Sequence, residues 1–355
     1  MSNLISLSEA AEFVGISRPT FNVRRIEYKF SEVHEGNKTL IPKCELLKLY
    51  SKENHRSQYL NLILTEDDTL EKIFVDENTL DLRLINFIDG YGIITLITTA
   101  AAILESDKSI YIIFSDNHAV RVLKAAGFFS ELKKRFENRV FYNQDIETIQ
   151  EIAKPFLSLH YIGFKGQERK ILEDLIPLFQ NQNFSTDVIG HLGWITGELV
   201  DNSLTHAQGP CYILIGQFNS KNKYLEVAIG DTGKGIYSSL KQNPKHQALG
   251  DDEAFLKAFK SKISSWPDTA KRGKGLCDLL IIAIGNGALL RVDSKEKGLM
   301  FNFINGQKEV MRQQPASTAG GARFCLLLIN EKFNEVNREE VDKFVERETE
   351  RLCKI

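Results

Sequence analysis

Three short stretches hold most of the residues whose types and spacing could do chemistry. In GHLGWITGELVDNSLTHAQG, the apolar positions Leu192, Trp194, Ile195, Leu199 and Leu204 describe a helix. Glu198 and Asn202 are four apart, so they share a helical face, and His206 follows four further on. A carboxylate and an amide oxygen one turn apart suit magnesium, which takes hard oxygen ligands and keeps several waters. The carboxylate can instead hold a water and take its proton. Taken alone, Glu198 reads as a solvated helix glutamate. In the second stretch, VAIGDTGKGI from Val227 to Ile236, a buried strand runs into Asp231, Gly233 and Gly235. A carboxylate at a strand end can accept a hydrogen bond from an exocyclic amine such as that of adenine. Glycines beyond it let backbone approach a flat ligand with no Cβ in the way. Taken alone, the stretch is a tight turn between two sheet elements. The third stretch, KRGKGLCDLLI from Lys271, opens a glycine loop directly onto an apolar helix. Free N–H groups at that helix start, with Arg272 and Lys274, make a phosphate cradle. Taken alone, it is a helix cap with two surface cations. The G-x-x-G-x-G spacing is not the dinucleotide fingerprint, and no G-x-x-x-x-G-K-[ST] loop is present.

In this order and spacing, ELVDNSLTHA, DTGKGI and RGKGL resemble the N-box and the two glycine boxes of the GHKL ATPase family. That family contains gyrase, the heat-shock chaperone ATPase, sensor histidine kinases, the DNA-mismatch-repair ATPase and the anti-sigma-factor serine kinases. The resemblance covers residues 165–330 approximately, and GGARFCLLLI fits the family's last strand. It implies an α/β sandwich, a mixed sheet with helices on one face, that binds ATP and Mg²⁺. Glu198 matches the general base that positions water in members that hydrolyse ATP. Asn202 matches the magnesium-binding asparagine, and Asp231 the aspartate that reads the adenine amine. Gly233 and Gly235 let the nucleotide approach. Gly273, Lys274 and Gly275 match the phosphate-binding glycine box, with Arg272 beside it. The polar stretch from Ile236 to Lys271 corresponds to the nucleotide lid. Two departures stand out. Many members have Gly-Thr before the closing strand, whereas this chain has Gly321-Ala322 and lacks that hydroxyl. No stretch resembles a phospho-accepting histidine box, and His191 and His206 fall within the ATPase helix, so self-phosphorylation on histidine is not expected. His206 is expected to pack or to hydrogen-bond locally.

The chemistry-bearing segment follows two others. At the front, SLSEAAEFVGISRPTFNVRRIEY gives Ser6 and Glu9 capping-box spacing, an apolar face on Ala10, Ala11, Phe13 and Val14, and a break at Gly15. Ser17 then caps a second helix with Pro19 in its first turn. NKTLIP reads as a short strand and KCELLKLY as a helix. The arrangement resembles the winged helix-turn-helix of excisionase and MerR-type DNA-binding proteins over the first 50 residues or so. The resemblance implies that the second helix enters the major groove of double-stranded DNA, with Arg18, Thr20, Asn22, Arg24 and Arg25 reaching bases and phosphates. The competing reading is the solvated face of a protein-interaction module, with Glu27, Glu32 and Glu35 diluting the positive charge. In the middle, EKIFVD and SIYIIF read as buried strands, with GIITLITTAAAIL a helix between them and DNHAVRVLKAAGFFSEL a helix and its exit. Element order and the closing GFF resemble the STAS fold of anti-sigma-factor antagonists. The phospho-acceptor Ser or Thr of regulatory members is replaced here by Asp89-Gly90-Tyr91-Gly92, so a structural or docking role is expected.

The 355 residues include 45 Lys or Arg and 47 Asp or Glu, a net charge of -2 that excludes a histone-like polyanion coat but not a small nucleic-acid module. The five cysteines form no CxxC pair, so neither a zinc ribbon nor a disulfide framework is signalled. No signal-peptide pattern opens the chain, and the most apolar run, Gly92–Leu104, is too short to span a bilayer. The expected organisation is α/β and cytoplasmic: 1–52 a winged helix-turn-helix, 60–150 a STAS-like layer, 155–332 a GHKL-type ATP-binding domain, and 333–355 a charged helix. The expected function is a nucleotide-dependent regulator with ATP, Mg²⁺ and double-stranded DNA as partners, no membrane, and both a regulatory protein partner and a homodimer left open. The alternatives are an ATPase, a serine/threonine protein kinase like the anti-sigma factors, and an interaction protein with no DNA role.

Overall fold

The computed structural model describes residues 4–14, 17–36, 38–47, 60–152, 158–181, 184–219, 224–265 and 275–353. The front module comprises β1 (Leu4–Ser6), α1 (Leu7–Val14), α2 (Arg18–Glu27), β2 (Val33–Glu35), β3 (Lys38–Pro42) and α3 (Lys43–Leu46). Its three strands form an antiparallel wing in the order β1-β3-β2. The capping box forms as its spacing predicts: Ser6 N donates to Glu9 Oε2 at 2.7 Å and Glu9 N to Ser6 Oγ at 3.3 Å. Ser17 caps α2 through Thr20 N. The Gly15 break and the end of the KCELLKLY helix lie outside the described residues.

The middle segment comprises β4 (Leu60–Leu62), β5 (Phe74–Asp76), β6 (Thr79–Asp81), β7 (Ile85–Ile88), α4 (Gly90–Glu105), β8 (Ile110–Ile113), α5 (His118–Ala126), α6 (Phe128–Phe136) and β9 (Val140–Tyr142). Its larger sheet runs β5-β6-β8-β9, with β6, β8 and β9 parallel, and β4 pairs with β7. The run GIITLITTAAAIL is α4 as expected, capped by Asp89. The EKI of EKIFVD is a 3₁₀ turn rather than strand. Gly127, at φ +88°, ends α5 and turns the chain into α6.

The third segment comprises β10 (His160–Ile162), α7 (Gln167–Asn181), α8 (Thr186–Asn202), β11 (Cys211–Asn219), β12 (Tyr224–Asp231), α9 (Ile236–Leu240), α10 (Asp251–Lys257), α11 (Gly275–Asn286), β13 (Leu289–Ser294), β14 (Lys297–Asn302), β15 (Glu309–Gln313), β16 (Ala322–Leu328) and α12 (Arg338–Cys353). Its seven strands run β10-β11-β12-β16-β13-β14-β15. Two expectations are corrected here. Every neighbouring pair is antiparallel, so the sheet is not mixed. Helices also cover both faces, not one. The cause is strand alternation, which sends successive side chains to opposite faces. Ile213, Val227, Ile229, Phe324 and Leu326 bury against the face that holds α8 and α11. Tyr212, Leu214, Ala228 and Cys325 bury against α4 of the middle segment. With both rows apolar, neither face can be left in water.

The same alternation stacks the front module onto the middle one. Ile110 and Ile112 of β8 face α4, while Tyr111 and Ile113 join the core of Phe13, Val14, Phe21 and Ile41. Lys43 is 5% exposed at this junction. It donates to Asp76 at 2.7 Å and Asn78 at 3.0 Å, and it lies over the rings of Phe13 and Tyr111. A buried ammonium with two oxygen acceptors and two ring faces is fully accommodated.

Candidate nucleotide site

Glu198, Asn202, Asp231, Gly235 and Gly275 border one cavity of about 290 Å³ between α8, the end of β12, α9 and the start of α11. Trp194, 50% exposed, stands at its rim. The helix spacing read from the sequence holds to Asn202. Beyond it the chain makes one π-helical turn, Ser203–Ala207, which keeps His206 on the cavity wall. His206 Nδ1 lies 2.7 Å from Ser265 Oγ, a contact with a residue 59 positions further along rather than a local one.

Asp231 ends β12 and is buried. Gly233 N donates to its Oδ1 at 2.9 Å, Ala322 N to Oδ1 at 3.1 Å, and Ser203 Oγ to Oδ2 at 3.1 Å. Burial pushes the carboxyl up to about 6, against these three donors and the positive charge of Arg323. Ser203 was not legible as a site residue. It supplies a hydroxyl to the aspartate where Gly321-Ala322 has none, from the residue that follows Asn202 in the helix, with its own N–H still bonded to the Leu199 carbonyl. Gly233 and Gly321 are required by close approach. A Cβ at Gly233 would overlap the Ala207 carbonyl, and one at Gly321 would overlap Asp231 Oδ1. Gly235 sits at φ +85°, and the next N–H, Ile236 N, donates to Ser294 Oγ at 2.8 Å.

Glu198 has its carboxyl raised by burial first, then by the negative charges of Asp278 and Asp201. A raised carboxyl holds a proton more readily than an ordinary glutamate does, the direction that suits a general base. Gly275 begins α11 opposite it. A Cβ there would come within 2.6 Å of Glu198 Oε2 and 3.1 Å of Asn202 Nδ2. The missing Cβ therefore keeps open the space between the start of α11 and the side chains of Glu198 and Asn202. Among the described residues, no cluster of three or more His, Cys, Asp or Glu is arranged to hold a metal by itself. A magnesium ion here would be held by Asn202 with phosphate oxygens and water, as small hard cations are in nucleotide sites. Arg272, Gly273 and Lys274 lie outside the described residues.

The stretch assigned to a lid is corrected for its described part, 236–265. Tyr237, Leu240, Phe255, Leu256 and Phe259 are core residues there. Lys260 pairs with Glu346, and Ser261 N donates to Asp342 Oδ1 at 2.6 Å, which ties the stretch to α12. α12 is in turn anchored by Arg338, 2.9 Å from Asp278. The charged tail is thus a packed wall of the domain rather than an appendage.

The proposed DNA contacts lie on α2. Arg18, Thr20 and Arg24 are exposed, and Asn22 and Arg25 are half-buried. Arg18 Nη1 donates to Ser8 Oγ at 2.6 Å, Thr20 Oγ1 lies 2.8 Å from Ser17 Oγ, and Arg25 pairs with Glu32 at 2.9 Å. Val23 and Ile26 stand out beside them, Ile26 at 72% exposure. In the middle segment, the stretch Asp89-Gly90-Tyr91-Gly92, expected as a loop, is the cap and first turn of α4, with Asp89 half-buried and the other three buried. Gly90 N and Tyr91 N donate to Glu226 of β12 at 3.2 and 3.0 Å. A carboxylate from the large sheet therefore occupies the helix start, where an anion is favoured. Tyr91 donates to Asp293 at 2.5 Å. Among the described residues, no helix is long and apolar enough to cross a membrane. No protein-family model matches the chain, and no curated protein matches it in sequence.

Proposed function

We propose that the chain is an ATP- and magnesium-binding regulatory protein of GHKL type, with a DNA-reading front module. The observation that supports this most is the convergence of Glu198, Asn202, Asp231 and Gly275 on one cavity, from stretches far apart in the sequence. In this reading Asp231 accepts from the adenine amine, Asn202 holds Mg²⁺ beside the phosphates, and Glu198 positions a water. Arg272, Gly273 and Lys274 complete the phosphate cradle.

Calorimetric titration with ATP, ADP and a non-hydrolysable analogue, with and without magnesium, tests it. Saturable binding of the adenine nucleotides, strengthened by magnesium, is the expected result. Absence of binding in every condition would reject the reading.

For the front module, Arg18, Thr20, Asn22, Arg24 and Arg25 of α2 are the contacts proposed for duplex DNA. A second reading, docking of a protein on α2, is favoured by the exposed Val23 and Ile26. It is also favoured by the dilution of positive charge in residues 1–52, where Glu9, Glu12, Glu27, Glu32, Glu35 and Glu45 stand against eight Lys and Arg. Duplex retardation at low salt by the whole chain separates them. Phosphate contacts make such binding fall steeply with salt.

A further inference from the structure

We infer that Arg323, held from behind by Thr98 of α4, is a positioning residue that sets the adenine selectivity of Asp231. The inference rests on the nucleotide reading above and adds to the site two side chains that lie outside the cavity, one of them in the middle segment.

Arg323 sits on β16 between Gly230 of β12 and Asp293 of β13 and is buried. Its guanidinium donates to Thr98 Oγ1 at 2.8 Å, to the Ser317 carbonyl at 2.8 Å, and to the Ala319 carbonyl. Thr98 is fixed in its turn, since its hydroxyl donates to the Ile94 carbonyl at 2.8 Å. The planar fork thus clamps the chain from Ser317 to Ala319 against α4.

That clamped chain leads straight into the aspartate's donors. Gly320, at φ +85°, turns it into Gly321 and Ala322. Gly321 N donates to the Asp231 carbonyl at 2.8 Å and Ala322 N to its carboxylate at 3.1 Å. Gly321 also lies so close to the carboxylate that a Cβ there would overlap Asp231 Oδ1. α4 also touches the strand immediately behind the aspartate. A Cβ at Gly230 would meet Ile94 Cγ2 at 2.5 Å and Thr98 Cγ2 at 2.9 Å. Asp231 is therefore held from α4 along two routes, through β12 and through Arg323. The charged groups that face Arg323 are Asp293, Asp231 and Arg291, with the Tyr91 hydroxyl beside them.

Adenine presents an amine to the carboxylate, whereas hypoxanthine presents a carbonyl oxygen that the carboxylate repels. The affinity ratio of ATP to inosine triphosphate therefore reads the placement of Asp231, because a site built to pair a donor rejects the analogue that lacks it. Both nucleotides would be titrated into the full-length wild type and into Thr98→Val, Thr98→Ser and Arg323→Lys, with a melting curve for each. Thr98→Val keeps the shape and removes the acceptor. It should lower the ratio by about five-fold, the worth of one ordinary hydrogen bond. Thr98→Ser should restore it. Arg323→Lys keeps the charge, loses the fork, and should lower the ratio further. If Thr98→Val and Arg323→Lys weaken both nucleotides equally, or neither, the two residues merely support the fold and the inference is overturned. A wild type that binds both nucleotides equally would remove Asp231 as the adenine reader, and the inference with it. A wild type that binds neither would instead reject the nucleotide reading itself.

Discussion

At the scale of single residues, the site turns on two carboxylates, Asp231 and Glu198, both raised by burial. Asp231, pushed up to about 6 by burial, is an acceptor at neutral pH and becomes a donor below that value. Adenine-nucleotide affinity should therefore fall as pH drops through about 6, and binding near that pH should release a proton. Calorimetry in buffers of different ionisation heat would detect the release. Asp231→Asn should weaken binding and abolish the release, even though His206 shares the cavity. The sign for stability is opposite. Between the ordinary aspartate value of 3.8 and about 6, the folded chain holds this proton and the unfolded chain does not. The contribution of Asp231 to stability is thus full below that window and is lost as pH rises through it. Glu198→Gln keeps shape and removes the base, so any phosphate release should drop by about 10²–10⁴-fold while nucleotide binding persists. Steady-state phosphate release beside a binding titration checks this. Glu198, Asn202 and Asp231 were legible because helical spacing and a strand end are local patterns. Ser203, Glu226, Thr98 and Arg323 were not. Their roles come from partners far along the chain, and nothing in a strand sequence marks which buried polar residue meets which.

At the scale of elements, α8 carries a cost that its own packing does not explain. Gly190, Gly193 and Gly197 interrupt a helix of 17 residues, and a Cβ at any of them would meet nothing within 4 Å. Gly190→Ala and Gly193→Ala, away from the carboxylate of Glu198, should each stabilise the chain by about 0.5–1 kcal/mol. A denaturant midpoint raised for each variant would bear this out. Gly275→Ala should act in the opposite sense on function, because its methyl would enter the space beside Glu198 Oε2. Nucleotide affinity should fall while the melting temperature changes little. Long periodic elements such as α4, α8 and β12 were readable from the sequence. The short strands β6 and β7, three and four residues long, were not, since so few positions establish no period. The lid assignment erred for a related reason. The stretch is polar along the chain, yet its few aromatic residues, Tyr237, Phe255 and Phe259, are what dock it on the core.

At the scale of the whole molecule, sequence boundaries near residues 52 and 154 do not mark separable bodies. The front module shares a core with the outer face of the β5-β6-β8-β9 sheet, and α4 shares one with the seven-stranded sheet. Sequence could not reveal this, because an apolar strand buried on two faces reads the same whichever element covers it. α4 has a consequence for synthesis. Its residues Ile94, Ile97 and Ala101 join a core completed by Tyr212, Leu214, Ala228 and Cys325, which emerge from the ribosome long afterwards. Until β16 is made, the nascent chain carries an apolar helix with half its cover missing, and with Gly90 and Tyr91 lacking the Glu226 carboxylate that completes the helix start. A chain stopped at residue 152 should therefore bind a hydrophobic dye and chaperones strongly, while the full-length protein should not. Ribosome-stalled chains released after residue 328 should lose that binding abruptly rather than by stages, which would make the last strand of the seven-stranded sheet the step that ends the vulnerability of a helix synthesised more than two hundred residues earlier.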